Sequence, residues 1–246
     1  MADVLAEISG VKITIRTAGI ITAALTLMLF TLLRIAMNKK AAAETRTPAR
    51  WADGLGFGLL PAAAVWKIFE SMYAAAGRAV IEPLPMIPWM TAEGRFVPAN
   101  IETAAALICF AGICIWLMIR KEELTGTADM LMVSLCLWSG IRAVTESFRE
   151  APENLLRYAY CAAILACLLI WTVKQRRQPH AKQRIAGNWL AAILCTAIIV
   201  VTASGTLSVG SEIGDLAVTT GCAGLMVLAT LLCGSDQRKT PNESGN

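Results

Sequence analysis

The sequence predicts an all-α fold: a polytopic membrane helix bundle of about seven transmembrane helices. Three observations carry that expectation. The chain has 246 residues, 56% hydrophobic and 16% charged, with a mean hydropathy of +0.58, which is too apolar for a soluble domain of this size. The apolar residues gather into seven stretches, each close to the roughly 20 residues a helix needs to cross about 30 Å of hydrocarbon. Lipid satisfies no backbone group, so an open sheet is excluded, and a barrel would show short alternating segments in place of these continuous ones.

The expected spans are 18–37, 55–76, 103–119, 127–148, 156–173, 188–208 and 216–233, within one domain over 1–246. The first follows basic residues as a signal peptide would, but it is long, and Lys39 and Lys40 hold its far end in the cytoplasm, so it is taken as an uncleaved helix. A charged connection, 38–50, leads to the second span, which opens on Gly54, Gly56 and Gly58 and contains Pro61, Lys67 and Glu70. Asp53 at its start suits the positive end of the helix dipole, as Asp129 does at the start of the fourth span. The extracytoplasmic segment 77–102 carries Pro83, Pro85, Pro88 and Pro98 with Trp89 and Phe96, and is expected to be irregular backbone at the interface. Spans three, five, six and seven are plain apolar helices in which Gly112, Gly205, Gly221 and Gly224 suit close helix packing. Trp51, Trp89, Trp116, Trp138, Trp171 and Trp189 lie near span ends, as interfacial belt residues do.

Orientation follows from the Lys and Arg residues between spans. One set of loops holds fourteen, including Arg34, Arg50, Lys121, Lys174 and Arg238; the opposite set holds six, Lys12, Arg16, Arg78, Arg95, Arg149 and Arg157. The positive-inside rule then puts the N-terminus outside and the C-terminus in the cytoplasm. The net charge of +4 is mostly a topology signal. Loop 174–184 is basic without aromatic interleaving, so no nucleic-acid partner is expected. The eight cysteines fall inside the spans with no Cys-x-x-Cys and are taken as small apolar residues, with no metal or cofactor implied. The only histidine, His180, lies in a cytoplasmic loop, away from any outward-facing site.

Charges remain inside the spans, where each costs roughly 2.5–3.5 kcal/mol even on the lenient insertion scale and marks a functional site by default. Arg142 and Glu146 stand four apart on one helix face, close enough to neutralise each other and to bind a polar group together. Lys67 and Glu70 form a second pair, and Arg95 and Glu102 flank the entry to span three. The bland alternative is that these side chains snorkel to the headgroups. Taken together in the outer half of the membrane, they describe an outward-facing polar cavity suited to an anionic headgroup, because arginine presents a planar fork of donors to phosphate oxygens.

The run Gly140-Ile141-Arg142 through Glu146 to Phe148-Arg149 resembles the signature Gly-x-x-Arg-Phe-x-x-Glu-Phe-x-Arg of prolipoprotein diacylglyceryl transferases. Arg95-Phe96-Val97-Pro98-Ala99-Asn100-Ile101-Glu102 is similar to that family's Arg-x-His-Pro-x-Gln-x-Tyr-Glu segment, and Ile15-Arg16-Thr17-Ala18-Gly19 to its Ile-Arg-x-Tyr-Gly. Asp53 followed by Lys67-Ile68 looks like its Asp…Gly-Arg-Ile-Gly-Asn-Phe signature. The resemblance runs loosely over 11–175, with Lys67, Glu70, Ala18 and Val97 at the family's arginine, asparagine, tyrosine and histidine positions.

The resemblance implies a bacterial plasma-membrane transferase that moves diacylglyceryl from phosphatidylglycerol to the lipobox cysteine of a secreted precursor. It implies Arg142 as phosphate clamp with Glu146 orienting it, and Lys67 as a second positive charge. Glu70 or Glu102 is then the base, and Arg95 and Arg16 are further headgroup contacts. No cofactor is implied. Two other readings stand beside it: a degenerate relative that binds anionic lipid or a lipoprotein precursor without turnover, and a small-solute transporter, for which inverted repeats and a midplane site are wanting.

Overall fold

The computed structural model describes residues 4–8, 11–37, 47–75, 80–81, 90–91, 97–120, 129–146, 154–175, 182–204 and 212–235. In chain order these form β1 (Val4–Ile8), β2 (Val11–Thr14), α1 (Ile15–Met37), α2 (Thr47–Ala75), β3 (Val80–Ile81), β4 (Met90–Thr91), α3 (Pro98–Arg120), α4 (Asp129–Thr145), α5 (Asn154–Gln175), α6 (Lys182–Ala203) and α7 (Glu212–Ser235). Five helices are long and apolar enough to cross a membrane: α1, α2 over Pro48–Met72, α3 over Pro98–Met118, α5 over Asn154–Val173 and α6 over Ile185–Ala203. Of the other two expected spans, α4 has 17 residues and carries Asp129 and Arg142, about 25 Å of helix, while the apolar part of α7 is Ala217–Leu231.

Helix starts other than that of α4, which falls two residues later than expected, lie upstream of the expected ones because capping groups, not hydropathy, set them. The Thr17 amide donates to Thr14 Oγ1 at 3.1 Å, which starts α1 at Ile15. Pro48 and Pro98 occupy first-turn positions, where the missing N–H is no loss. At the second of these, Val97 O accepts from the amides of Asn100 at 3.1 Å and Ile101 at 3.4 Å. Two small antiparallel sheets, β1 with β2 and β3 with β4, replace part of the irregular backbone expected at 77–102 and add one before α1.

The chain divides into two compact units, Met1–Ser134 and Leu135–Asn246. In the first unit α1 and α2 run antiparallel. Gly19 of α1 faces Phe69, Leu27 faces Gly58, and Arg34 pairs with Asp53. A Cβ at Gly58 would lie 2.7 Å from Leu27 O and one at Gly54 3.0 Å from Thr31 O, so this Gly-x-x-x-Gly face lets two backbones touch. Gly56, on another face of α2, abuts the backbone of Met130 and Leu131. Phe30, Phe57 and Phe110 form an aromatic cluster with Phe57 and Phe110 centroids 5.1 Å apart. Leu60, Ala64, Ala106 and Met130 are also buried in this unit.

The first unit corrects two readings. Asp53 is not a dipole partner at a helix start: α2 begins six residues before it, and Asp53 is buried with its Oδ2 3.3 Å from Arg34 Nε. Arg34, counted with the loops, is itself buried in the last turn of α1 with its guanidinium 5.8 Å from the Phe57 ring centroid.

In the second unit α5 and α6 run antiparallel, tied by Asn154 Nδ2 donating to Ala203 O at 3.1 Å and by Trp189 Nε1 donating to Thr172 Oγ1 at 2.9 Å. The first bond satisfies a carbonyl at the end of α6 that has no partner within its own helix. Gly140 of α4 abuts Val227 of α7, and Thr196 of α6 reaches Met226 Sδ at 3.5 Å. Trp171 is buried, as are Ile164, Leu168 and Ile199 of this unit, which removes it from the expected belt. Gly112, Gly221 and Gly224 face open space within the chain, so the close packing expected of them is found at Gly54, Gly58 and Gly140 instead. Ile20, Leu29, Ile108, Met118, Leu190 and Leu228 are exposed, an apolar surface of the kind lipid covers.

Candidate functional site

Among the described residues, each unit holds a buried ionic cluster drawn from the charges singled out within the spans, the first in addition to its Arg34–Asp53 pair. In the first, α2 presents Lys67 toward Glu102 of α3. The ammonium lies 2.6 Å from Glu102 Oε2 and 2.6 Å from Glu70 Oε2 one turn along its own helix. Lys67 and Glu102 are buried, Glu102 completely, whereas the Glu70 side chain keeps 32% of its surface. Ser71, Asn100 and Thr103 are buried polar neighbours in sequence, and Thr103 Oγ1 returns its proton to Ala99 O at 2.8 Å. Two carboxylates around one ammonium leave a formal charge of −1, so Lys67 does not stand as an uncommitted second cation for a phosphate.

In the second unit, Arg142 occupies the last turn of α4, where a cation complements the helix dipole, and Glu146 follows in a tight turn after the helix. Arg142 Nη2 lies 3.5 Å from Glu146 Oε2, a coulombic contact longer than a charge-assisted hydrogen bond. Its Nε donates to Tyr160 Oη at 3.0 Å, and the guanidinium carbon stands 5.2 Å from the centre of the Tyr160 ring. Arg142 is 7% exposed, Glu146 is fully enclosed and Thr145 is buried. Arg157, one turn before Tyr160 on α5, is also 7% exposed.

The pairings expected of Lys67 with Glu70 and of Arg142 with Glu146 are therefore formed, and Glu102 joins the former. Arg16 is exposed in the first turn of α1. Arg95, Phe148, Arg149 and His180 lie outside the described residues. The sequence reading passed over Tyr160, although Arg157 and Tyr160 stand three apart in an apolar helix and so share a face. Among the described residues no three His, Cys, Asp or Glu side chains gather as a metal site would, and the cysteines described are all unbridged.

No family model matches the chain, and no curated protein or solved structure matches it.

Proposed function

We propose that this chain is an integral membrane transferase of the prolipoprotein diacylglyceryl transferase kind, with seven spans, its N-terminus outside and Arg142 clamping the headgroup phosphate of phosphatidylglycerol. The observation that carries the reading is the state of Arg142. An arginine enclosed in an apolar helix, braced from one side by Glu146 and from the other by the hydroxyl and face of Tyr160, is oriented, which a snorkelling side chain is not.

The reaction is displacement at carbon. The lipobox sulfur forms a bond to the terminal glyceryl carbon of the diacylglyceryl group, the carbon–oxygen bond to phosphate breaks with its electron pair, and glycerol phosphate leaves. The thiol proton passes to a base. Guanidinium donors held toward phosphate oxygens stabilise the charge that grows on the leaving group. Of the carboxylates that the resemblance implies as base, Glu70 keeps part of its side-chain surface, while Glu102 is enclosed against Lys67 and serves to hold that ammonium.

The test is transfer of labelled diacylglyceryl from phosphatidylglycerol to a lipobox peptide by the purified chain in nanodiscs, with Arg142→Ala as control. Transfer that disappears in Arg142→Ala supports the reading. Phosphatidylglycerol binding with no transfer by the native chain favours the second reading, a lipid-binding relative without turnover, to which the double engagement of Lys67 and the residues Ala18 and Val97 point. Neither binding nor transfer refutes both.

A further inference from the structure

The second unit carries a line of sulfur atoms that the proposed reaction does not use. Cys222, Met226 and Thr230 stand at i, i+4 and i+8 on α7 and so share a face, and all three are buried, Met226 completely. Cys195 of α6 is buried too, and its thiol and that of Cys222 lie within hydrogen-bonding reach of each other. The next residue, Thr196, brings its Oγ1 to 3.5 Å from Met226 Sδ. That hydroxyl has one proton and lies 2.8 Å from Ala192 O, the stronger acceptor, so this contact leaves the thioether lone pairs uncommitted. One turn further along α7, Thr230 Oγ1 donates to Met226 O at 2.7 Å and accepts from the Cys136 thiol of α4, which has buried Cys167 of α5 as a neighbour.

A lone buried cysteine packs as a small hydrophobe. Two thiols that meet across a helix seam, with a methionine one turn along the same face, have a further capacity, because thiolate and thioether are the ligands that select a soft cation such as Cu(I). Charge favours a monovalent ion. One thiolate neutralises it, so the complex brings no net charge into an interior where charge is costly. A structural Zn²⁺ takes four ligands, and among the described residues no three His, Cys, Asp or Glu side chains gather to begin such a set.

We infer that Cys195, Cys222 and Met226 form a binding site for a soft monovalent metal ion of the Cu(I) class on the seam between α6 and α7. The ion displaces one thiol proton to a buffer base, and the freed sulfur electron pair forms the metal–sulfur bond. The other cysteine sulfur and the Met226 thioether complete the shell, and no electron changes hands. The inference stands apart from the proposed reaction and uses none of its residues.

The experiment takes the full chain, reduced and freed of reductant, in phosphatidylcholine nanodiscs, and presents Cu(I) as its bicinchoninate complex, whose colour reports the ion withdrawn. The native chain is expected to withdraw Cu(I), to unfold at a higher temperature once loaded, as a ligand of the folded state requires, and to show sulfur neighbours alone in X-ray absorption. Cys195→Ala/Cys222→Ala should abolish that withdrawal. Met226→Leu keeps the volume and removes the sulfur, so it folds as the native chain does and should weaken binding about tenfold or more, since even a supporting contact at a metal site is worth about 10–100-fold. Cys136→Ala/Cys167→Ala removes as many thiols and should leave the affinity for the first ion unchanged. No withdrawal by the native chain overturns the inference, as does equal affinity in Met226→Leu and in Cys195→Ala/Cys222→Ala. A metal-free product lighter by two hydrogens, with Cys195 bridged to Cys222, makes the pair a redox dithiol and overturns it as well.

Discussion

Replacing Lys67 with methionine removes a charge that both Glu70 and Glu102 contact. Each carboxylate oxygen is 2.6 Å from Nζ, so the two oxygens can be no more than about 5 Å apart, and at an effective dielectric of about 20 two unit charges at that distance repel by about 3 kcal/mol. Breaking a buried ion pair from one side costs about 3–5 kcal/mol in general, because the partner charge is left uncompensated. Lys67→Met should therefore destabilise by about 3–5 kcal/mol. Glu102→Gln keeps the Lys67–Glu70 contact and an amide near the ammonium, and should cost about 1–3 kcal/mol, in the range for a perturbed charged hydrogen bond. The double variant Lys67→Met/Glu102→Gln removes the repulsion and should recover more than 1 kcal/mol relative to the sum of the singles, as contacting residues do. The assay is reversible unfolding of the purified chain in mixed dodecyl maltoside and sodium dodecyl sulfate micelles, followed by tryptophan fluorescence. Additivity within about 0.5 kcal/mol, or a Lys67→Met loss below about 1 kcal/mol, refutes the triad as a coupled buried cluster.

The same unfolding assay checks three further expectations. Gly56→Ala drives a methyl into the Leu131 backbone and should cost at least about 1–3 kcal/mol, while Gly221→Ala meets open space and should gain up to about 1 kcal/mol of helix propensity. Asp53→Leu leaves Arg34 buried without its counterion and should lose about 3–5 kcal/mol, most of it regained in Arg34→Leu/Asp53→Leu. Tyr160→Phe deletes the 3.0 Å bond from Arg142 but keeps the ring beneath the guanidinium; it should cost about 1.5–3 kcal/mol and reduce stabilisation by phosphatidylglycerol in nanodiscs.

Periodicity and composition carry the helices well because a membrane helix is announced by length and apolarity alone. All seven expected helices occur, with the largest shifts at their starts, where Pro48, Pro98 and the Thr14 cap act through backbone hydrogen bonding that hydropathy does not register. The β1–β2 hairpin had its own signal, two short runs with strand-forming residues separated by Ser9-Gly10, a two-residue turn sequence. It was masked by the expectation that residues before a first span are simply a basic flank. Glycine roles were legible only by pattern. Gly54 and Gly58 at four-residue spacing differ from Gly221 and Gly224 at three, and only the first pair lets a neighbouring backbone approach on one face.

For the charged residues, spacing revealed partners within a helix and burial revealed partners between helices. Lys67 with Glu70 and Arg142 with Glu146 follow from i+3 and i+4 contacts, which any sequence displays. Glu102 against Lys67 and Tyr160 against Arg142 depend on which helix faces which, and no local pattern encodes that. The loop tally shows how this matters. Arg34 and Arg157 entered it as one cation on each side, yet both are enclosed in helices with side chains committed to the protein interior. Removing the two leaves thirteen against five, so the orientation argument keeps its sign and loses none of its force. What changes is the meaning of the removed residues. Arg34 is matched by Asp53, whereas the Nε of Arg157 has no hydrogen-bond partner among the described residues. A topology charge needs only water or headgroups around it; an enclosed arginine takes its surroundings from the helices packed against it, so its place in the sequence reports packing before it reports orientation.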